Sequence, residues 1–176
     1  GAAIGAFGAL DILVCNAGIN RDKTLRRLPK EDWDADVAVN LTAPFLLIKA
    51  VFPGMAERGW GRIINVSSVT GTMGGFGQCS YAATKAGLIG LTKTVALEGA
   101  RKNITCNAVV LGVFDAGSFY DVAEPFRERI IKRVAMRRSG DPRELSEVIA
   151  FLASDEASFV TGEAIEVSGG ISLFTF

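Results

Sequence analysis

An α/β fold built on a parallel sheet is what this sequence predicts, and three observations point to it. Strand-like and helix-like segments alternate along the chain. The strand-like runs are continuously apolar, as strands covered on both faces must be. Turns bearing Gly, Ser and Asn separate them, giving the layer pattern of helices against a sheet. A length of 176 residues suits one domain with a real core.

The elements follow in order. Gly1, Gly5 and Gly8 fall in GxxxGxxG spacing with no strand before them, so they read as the end of a helix and a turn. Asp11 to Cys15 is a short apolar strand closed by Asn16-Ala17-Gly18. Leu28 to Trp33 places proline and acids at a helix start. The helical pattern then continues through Val37, Leu41, Phe45 and Ile48 to about Arg58. Pro44 inside it predicts a kink near Asn40, the residue one turn back whose carbonyl it cannot satisfy. Gly59-Trp60-Gly61 stops the helix, Arg62 to Val66 is the next strand, and Ser67 to Cys79 reads as a Ser/Gly-rich loop.

From about Ser80 to Arg101 the pattern is helical again. Ala82, Ala83, Ala86, Gly87 and Gly90 give this helix a small face, suited to close approach by the sheet or by a partner helix. Ile104 to Val110 is the third strand, and residues 111–123 form an irregular, aromatic-bearing segment. Helices follow at about 124–135 and 142–153, and Ala164 to Val167 is the final strand.

Composition excludes several functions. The 19 basic and 19 acidic residues cancel and are scattered, leaving no footprint for nucleic acid or an anionic membrane surface. No apolar stretch reaches the ~18–20 residues of a membrane span, and no signal pattern opens the chain. Histidine is absent, which removes Ser-His-Asp hydrolysis, Cys-His proteolysis and His-ligated metal catalysis, and no metal is expected. Cys15, Cys79 and Cys106 are odd in number and lack CxxC spacing, as reduced thiols of a cytoplasmic protein would be.

The chemistry-bearing residues gather around Tyr81-Ala82-Ala83-Thr84-Lys85 at a helix start. A spacing of four puts phenol and ammonium on one face, one turn apart. A nearby cation stabilises a phenolate, so the pair can exchange a proton with a carbonyl or alcohol oxygen; alone, it also fits a solvated lysine beside a half-buried tyrosine. Ser68 follows a strand at the carboxyl edge of the sheet, where ligands collect in open α/β folds. It reads either as a donor to the same oxygen or as a capping serine. Asn40 is polar in an apolar stretch, and a buried amide serving the backbone that Pro44 disturbs explains it equally.

Taken together these pieces resemble the short-chain dehydrogenase/reductase family over essentially the whole chain. The resemblance rests on Asn16-Ala17-Gly18, Asn40, Ser68, the Tyr81/Lys85 pair, Gly112 and Ser168-Gly169-Gly170, in order and spacing. It implies a Rossmann-like, doubly wound sheet, here of about four strands with flanking helices, in a single domain spanning 1–176. It also implies an NAD or NADP cofactor and hydride transfer at a carbonyl/alcohol carbon. Tyr81 would be the acid/base, Ser68 would polarise the carbonyl, Lys85 would lower the tyrosine pKa and hold the nicotinamide ribose, and Asn40 would hold a relay water. Asn16, Ala17, Gly18, Gly112 and Phe114 would join Tyr81 and Lys85 at the cofactor.

Gly18-Ile19-Asn20-Arg21-Asp22, Gly71-Thr72-Met73-Gly74 and Phe151-Leu152-Ala153-Ser154-Asp155 are similar to 3-oxoacyl-acyl-carrier-protein reductases, and Arg58 to Arg62 to acetoacetyl-CoA reductases. These imply an NADPH-type reduction of a 3-oxoacyl thioester and a homo-tetramer joined through the two long helices. Arg58, Arg62, Arg101 and Lys102 could receive an acidic carrier or a CoA phosphate, or simply complement the helix dipoles. Another ketone or alcohol, or a non-catalytic assembly role without dinucleotide binding, are the alternatives.

The sequence departs from the family twice. Leu111 to Ala116 keeps Gly112 but lacks the family's proline and threonine, so nicotinamide placement is looser or falls to Ser118. Nothing before Leu10 supplies the glycine-rich phosphate turn, so the expected chain is an N-terminally truncated, C-terminal catalytic portion, or one whose first strand is covered by another subunit.

Overall fold

The computed structural model describes residues 2–173, the side chain of Ser118 excepted. Four parallel strands form one sheet in the order β1 (Ile12–Cys15), β2 (Gly61–Ser68), β3 (Ile104–Leu111) and β4 (Ala164–Val167). All eight residues of β2 are buried, as its unbroken apolar run requires. The helices are α1 (Ala2–Phe7), α2 (Lys30–Val37), α3 (Ala43–Arg58), α4 (Val69–Met73), α5 (Cys79–Gly99), α6 (Glu124–Arg133) and α7 (Pro142–Ala153).

Two apolar layers sandwich the sheet. On one face Ile48, Val51 and Met55 of α3 and Val95 and Ala96 of α5 pack against Ile63, Ile104 and Cys106. On the other, Leu152 and Ala157, with Leu145, Val148 and Ile149 beside them, cover Ile64 and Val109. Ile63 and Ile64 are successive residues of β2, so their side chains face opposite sides. The strands step across the sheet in a single direction, yet α7 lies on the opposite face from α3 and α5. The β3–β4 connection therefore has the opposite hand from the two before it, against the strong preference for one hand in such crossovers.

The predicted kink takes a definite form. Residues Ala38–Thr42 make a π-helical turn between α2 and α3, immediately before Pro44 in the first turn of α3. A proline offers no N–H to the turn behind it, and a wider turn accommodates the missing bond. The expected loop at 67–79 contains a helix, α4, nucleated by Ser68, whose Oγ accepts from Thr70 N at 3.2 Å. The expectation of no membrane-length apolar stretch also needs correction. The continuous helix Lys30–Arg58 is long and apolar enough on average to cross a membrane, because Asn40, Thr42 and Lys49 interrupt the apolar run without outweighing it. Its inner face packs on the sheet through Ile48, Val51 and Met55.

Candidate active site

Tyr81 stands in the first turn of α5 and Lys85 one turn on, with the ammonium 5.5 Å from the centroid of the phenol ring. Lys85 is buried, makes no ion pair among the described residues, and donates from Nζ to the carbonyl of Val66 at 2.8 Å. Burial draws its pKa down to about 8. Ser67, at the end of β2, donates to the Lys85 carbonyl at 2.8 Å, pinning α5 to the strand. Gly71 allows α4 to lie on the same turn, since a Cβ there would come within 2.7 Å of the Lys85 carbonyl carbon.

Ser68, the last residue of β2, faces the phenol from this edge. Burial pushes the Tyr81 phenol above its ordinary value; the Ser68 hydroxyl draws it down, and the charges of Asp22 and Asp36 push it further up. The expected lowering by Lys85 is thus not what governs the phenol; removal from water is the leading influence and pushes it up.

Asn40 sits in the π turn, fully buried. Its Oδ1 accepts from Ile19 N and its Nδ2 donates to Ile19 O, both at 2.8 Å, with Thr84 Oγ1 at 3.4 Å. The amide therefore clamps the loop after β1, and its side chain is spent on that task. Gly18 lies directly above: a Cβ would stand 3.4 Å from both Asn40 Oδ1 and Lys85 Nζ. Asn16, Ala17 and Gly18 are exposed at the carboxyl end of β1.

The structure thus gathers Gly18, Asn40, Ser68, Tyr81 and Lys85, with Asn16 and Ala17 adjoining. Gly112 follows Leu111, the β3 partner of Ser68, at the same carboxyl edge of the sheet, and Phe114 comes two residues later. A Cβ on Gly112 would meet Ser168 Cα at 2.6 Å, and one on Gly140 would meet the Phe114 ring at 2.6 Å. Phe114 lines a cavity of about 660 Å³ with Val113, Met136, Glu166 and Gly169, at the ends of β3 and β4. The hydroxyl expected of Ser118 lies outside the described residues.

Of the candidate docking cations, Arg62 is withdrawn from the surface. Only 1% exposed, its guanidinium donates to the carbonyls of Gly61, Asn103 and Ser154 and to Asp155. Arg58 is tied to Asp11 and the Leu10 carbonyl, while Arg101 and Lys102 are exposed.

Sequence reasoning missed the company Asn40 keeps. Asp32, Asp36 and Asn40 recur every four residues and are all buried, a polar stripe facing inward from the helix. Asp32 takes Arg21 and Lys23, whose pull holds its carboxyl below the ordinary range. Lys23 N donates to Gly77 O at 2.8 Å, and Gln78 donates to Asp22 at 3.1 Å, so the loop after β1 is laced to the loop before α5. The period-four spacing of acids was the available signal.

Comparison with known proteins bears on this arrangement. A family model described as Enoyl-(Acyl carrier protein) reductase matches residues 1–172. The 3-oxoacyl-[acyl-carrier-protein] reductase FabG of Vibrio cholerae is 47% identical across 94% of this chain and 68% of its own length. The chain belongs to the short-chain dehydrogenase/reductase family. Within that family, nodulation protein G of Azospirillum brasilense is 46% identical over 94% of this chain and 68% of its own. An acetoacetyl-CoA reductase of Allochromatium vinosum is 44% identical over 93% and 67%. As a short-chain dehydrogenase/reductase the chain is an oxidoreductase, and its parallel sheet with flanking helices is of the Rossmann-like kind.

Proposed function

We propose that residues 1–176 form one catalytic domain that reduces a 3-oxoacyl thioester, carried on acyl carrier protein or CoA, to the 3-hydroxyacyl form with NADPH or NADH. The observation that carries this reading is the buried Lys85 ammonium beside Tyr81, with Ser68 opposite, at the carboxyl edge of a parallel sheet. The names of the similar proteins supply the substrate class.

The residues present fit a nicotinamide nucleoside. Lys85 is buried, has donors to spare beyond its bond to Val66, and lies against Gly18, which has no side chain. Such a cation suits the hydroxyls of a ribose, with Asn16, Ala17 and Gly18 flanking it and Tyr81 and Lys85 beneath. When bound, the nicotinamide supplies the hydride. Ser68 then donates a hydrogen bond to the substrate carbonyl oxygen, and Tyr81 delivers the proton to it as charge develops there. With the Asn40 amide committed to Ile19, the atom of Asn40 suited to hold a relay water is its carbonyl, which Pro44 cannot engage. Gly112 and Phe114, just past the β3 partner of Ser68, would adjoin the nicotinamide from the β3 side.

The outer faces of α3 and α5 support self-association, in a tetramer. Phe45, Leu46, Leu47 and Leu97 are all substantially exposed beside the small residues Ala83, Ala86 and Gly90.

The test is oxidation of NADPH and NADH with acetoacetyl-CoA, crotonyl-CoA and a panel of simple ketones. Faster turnover of the 3-oxoacyl thioester than of either other class is expected. Preference for the enoyl thioester or for ketones would assign a different reaction to the same site.

A further inference from the structure

Asp36 runs against its surroundings. It is fully buried on α2 against α5 and pairs with no basic residue among the described residues. Its Oδ2 accepts a hydrogen bond from Ser80 Oγ, while its Oδ1 has no partner. A carboxylate so placed is costly, and an apolar side chain of similar size would usually serve the packing better. Ser80 is the second residue of α5, near the positive end of that helix, and the next residue is Tyr81.

We propose that Asp36 is a positioning residue for Tyr81: its bond to Ser80 clamps the first turn of α5 onto α2, and its buried carboxyl group sets the electrostatic surroundings of the neighbouring phenol. This rests on the reading of Tyr81 as proton donor, since a donor must hold its proton until the carbonyl oxygen needs it. The charged groups facing the phenol are Asp22 from the loop after β1, Asp36 from α2, and Lys85 from α5 itself. α4, the π turn and the carboxyl end of β2 carry no titratable side chain. Asp22 is exposed and screened by water, and Lys85 loses its proton near pH 8, before the phenol titrates. Asp36, unlike Asp22, is fully buried, and its effect on the phenol is upward.

The chain contains two tyrosines, so Tyr120→Phe makes Tyr81 its single phenol reporter. Ultraviolet absorbance of the phenolate then gives the ionisation midpoint without cofactor or substrate. Adding Asp36→Asn should lower the midpoint by about one pH unit, the size expected for removing a nearby like charge. Adding Ser80→Ala, which breaks the clamp and leaves the charge, should not lower it. A midpoint unmoved in folded Asp36→Asn overturns the proposal, and so does an equal fall in Ser80→Ala, which would point to a loosened helix. If circular dichroism shows that Asp36→Asn does not fold, Asp36→Leu removes the same charge in a form the buried site accepts and gives the same two readings. Full thioester reduction by Tyr81→Phe would instead defeat the reading of Tyr81 as donor, and the titration result would stand apart from it.

Discussion

Two side chains, four residues apart, are asked to do opposite things by the same burial. Loss of water disfavours the charged form of each, which holds Tyr81 protonated and pulls Lys85 towards neutrality. Tyr81→Phe removes the proton donor and little else, so turnover should fall at least about a hundredfold, in line with loss of general acid catalysis, with KM nearly unchanged. Lys85 carries a stability signature as well. Its pKa falls from 10.5 in the unfolded chain to about 8 in the fold. Between those values the unfolded chain binds more protons, so stability rises with pH across the window, and the full cost is present below pH 8. Lys85→Met should remove that rise and raise stability at pH 7, by at most on the order of 3 kcal/mol. Urea unfolding of both proteins from pH 7 to pH 10 checks it. The gain would come with loss of activity, as expected where a functional group is retained against stability.

At the scale of elements, the π turn and the packing of α4 decide whether the site is assembled. Pro44→Ala returns an N–H to the turn behind it and lets Ala38–Thr42 relax to a regular helix, rotating Asn40 off Ile19. The Ile19 amide should then lose hydrogen-exchange protection and turnover should drop, while the melting temperature hardly moves. Gly71→Ala acts differently. Its Cβ would overlap the α5 backbone at Lys85, so α4 must move and carry Ser68 with it. A cost of about 2 kcal/mol, the usual size for overpacking, should appear in urea unfolding together with at least tenfold slower turnover. Strand positions were legible in the sequence because apolar runs bounded by glycine leave few alternatives, and α7 and β4 begin and end where the pattern put them. Pro44 announced the disturbance at Asn40. What stayed hidden was tertiary: α4 depends on a serine cap in a segment otherwise reading as loop. Asp36 looked like one more surface acid until α5 was seen to lie over it. Hidden too was the close approach of Ser168 to Gly112, a contact that only the β3–β4 packing creates.

For the molecule as a whole, the exposed apolar faces of α3 and α5 depart from an ordinary protein surface. They lie on the same side as the site's supporting helices. Leu46→Glu combined with Leu97→Glu should yield a smaller species in sedimentation velocity than the unchanged chain, because buried like charges oppose a symmetric contact. An unchanged sedimentation coefficient would place any assembly elsewhere.

The reversed hand of the last crossover bears on how the chain acquires its shape. β2, β3 and α5 form the densest part of the core, and their connections are direct. β4 must wait while residues 112–163 swing to the far side of the sheet and lay α7 beneath it, which makes its pairing with β3 the contact of longest delay. Folding should therefore finish at β4, and the first cooperative opening of the native protein should release β4 and α7 together, leaving the turn that holds Tyr81 and Lys85 intact. Native-state hydrogen exchange at low urea should show the amides of Ala164–Val167 and Pro142–Ala153 merging into one low-energy opening, well before those of β2.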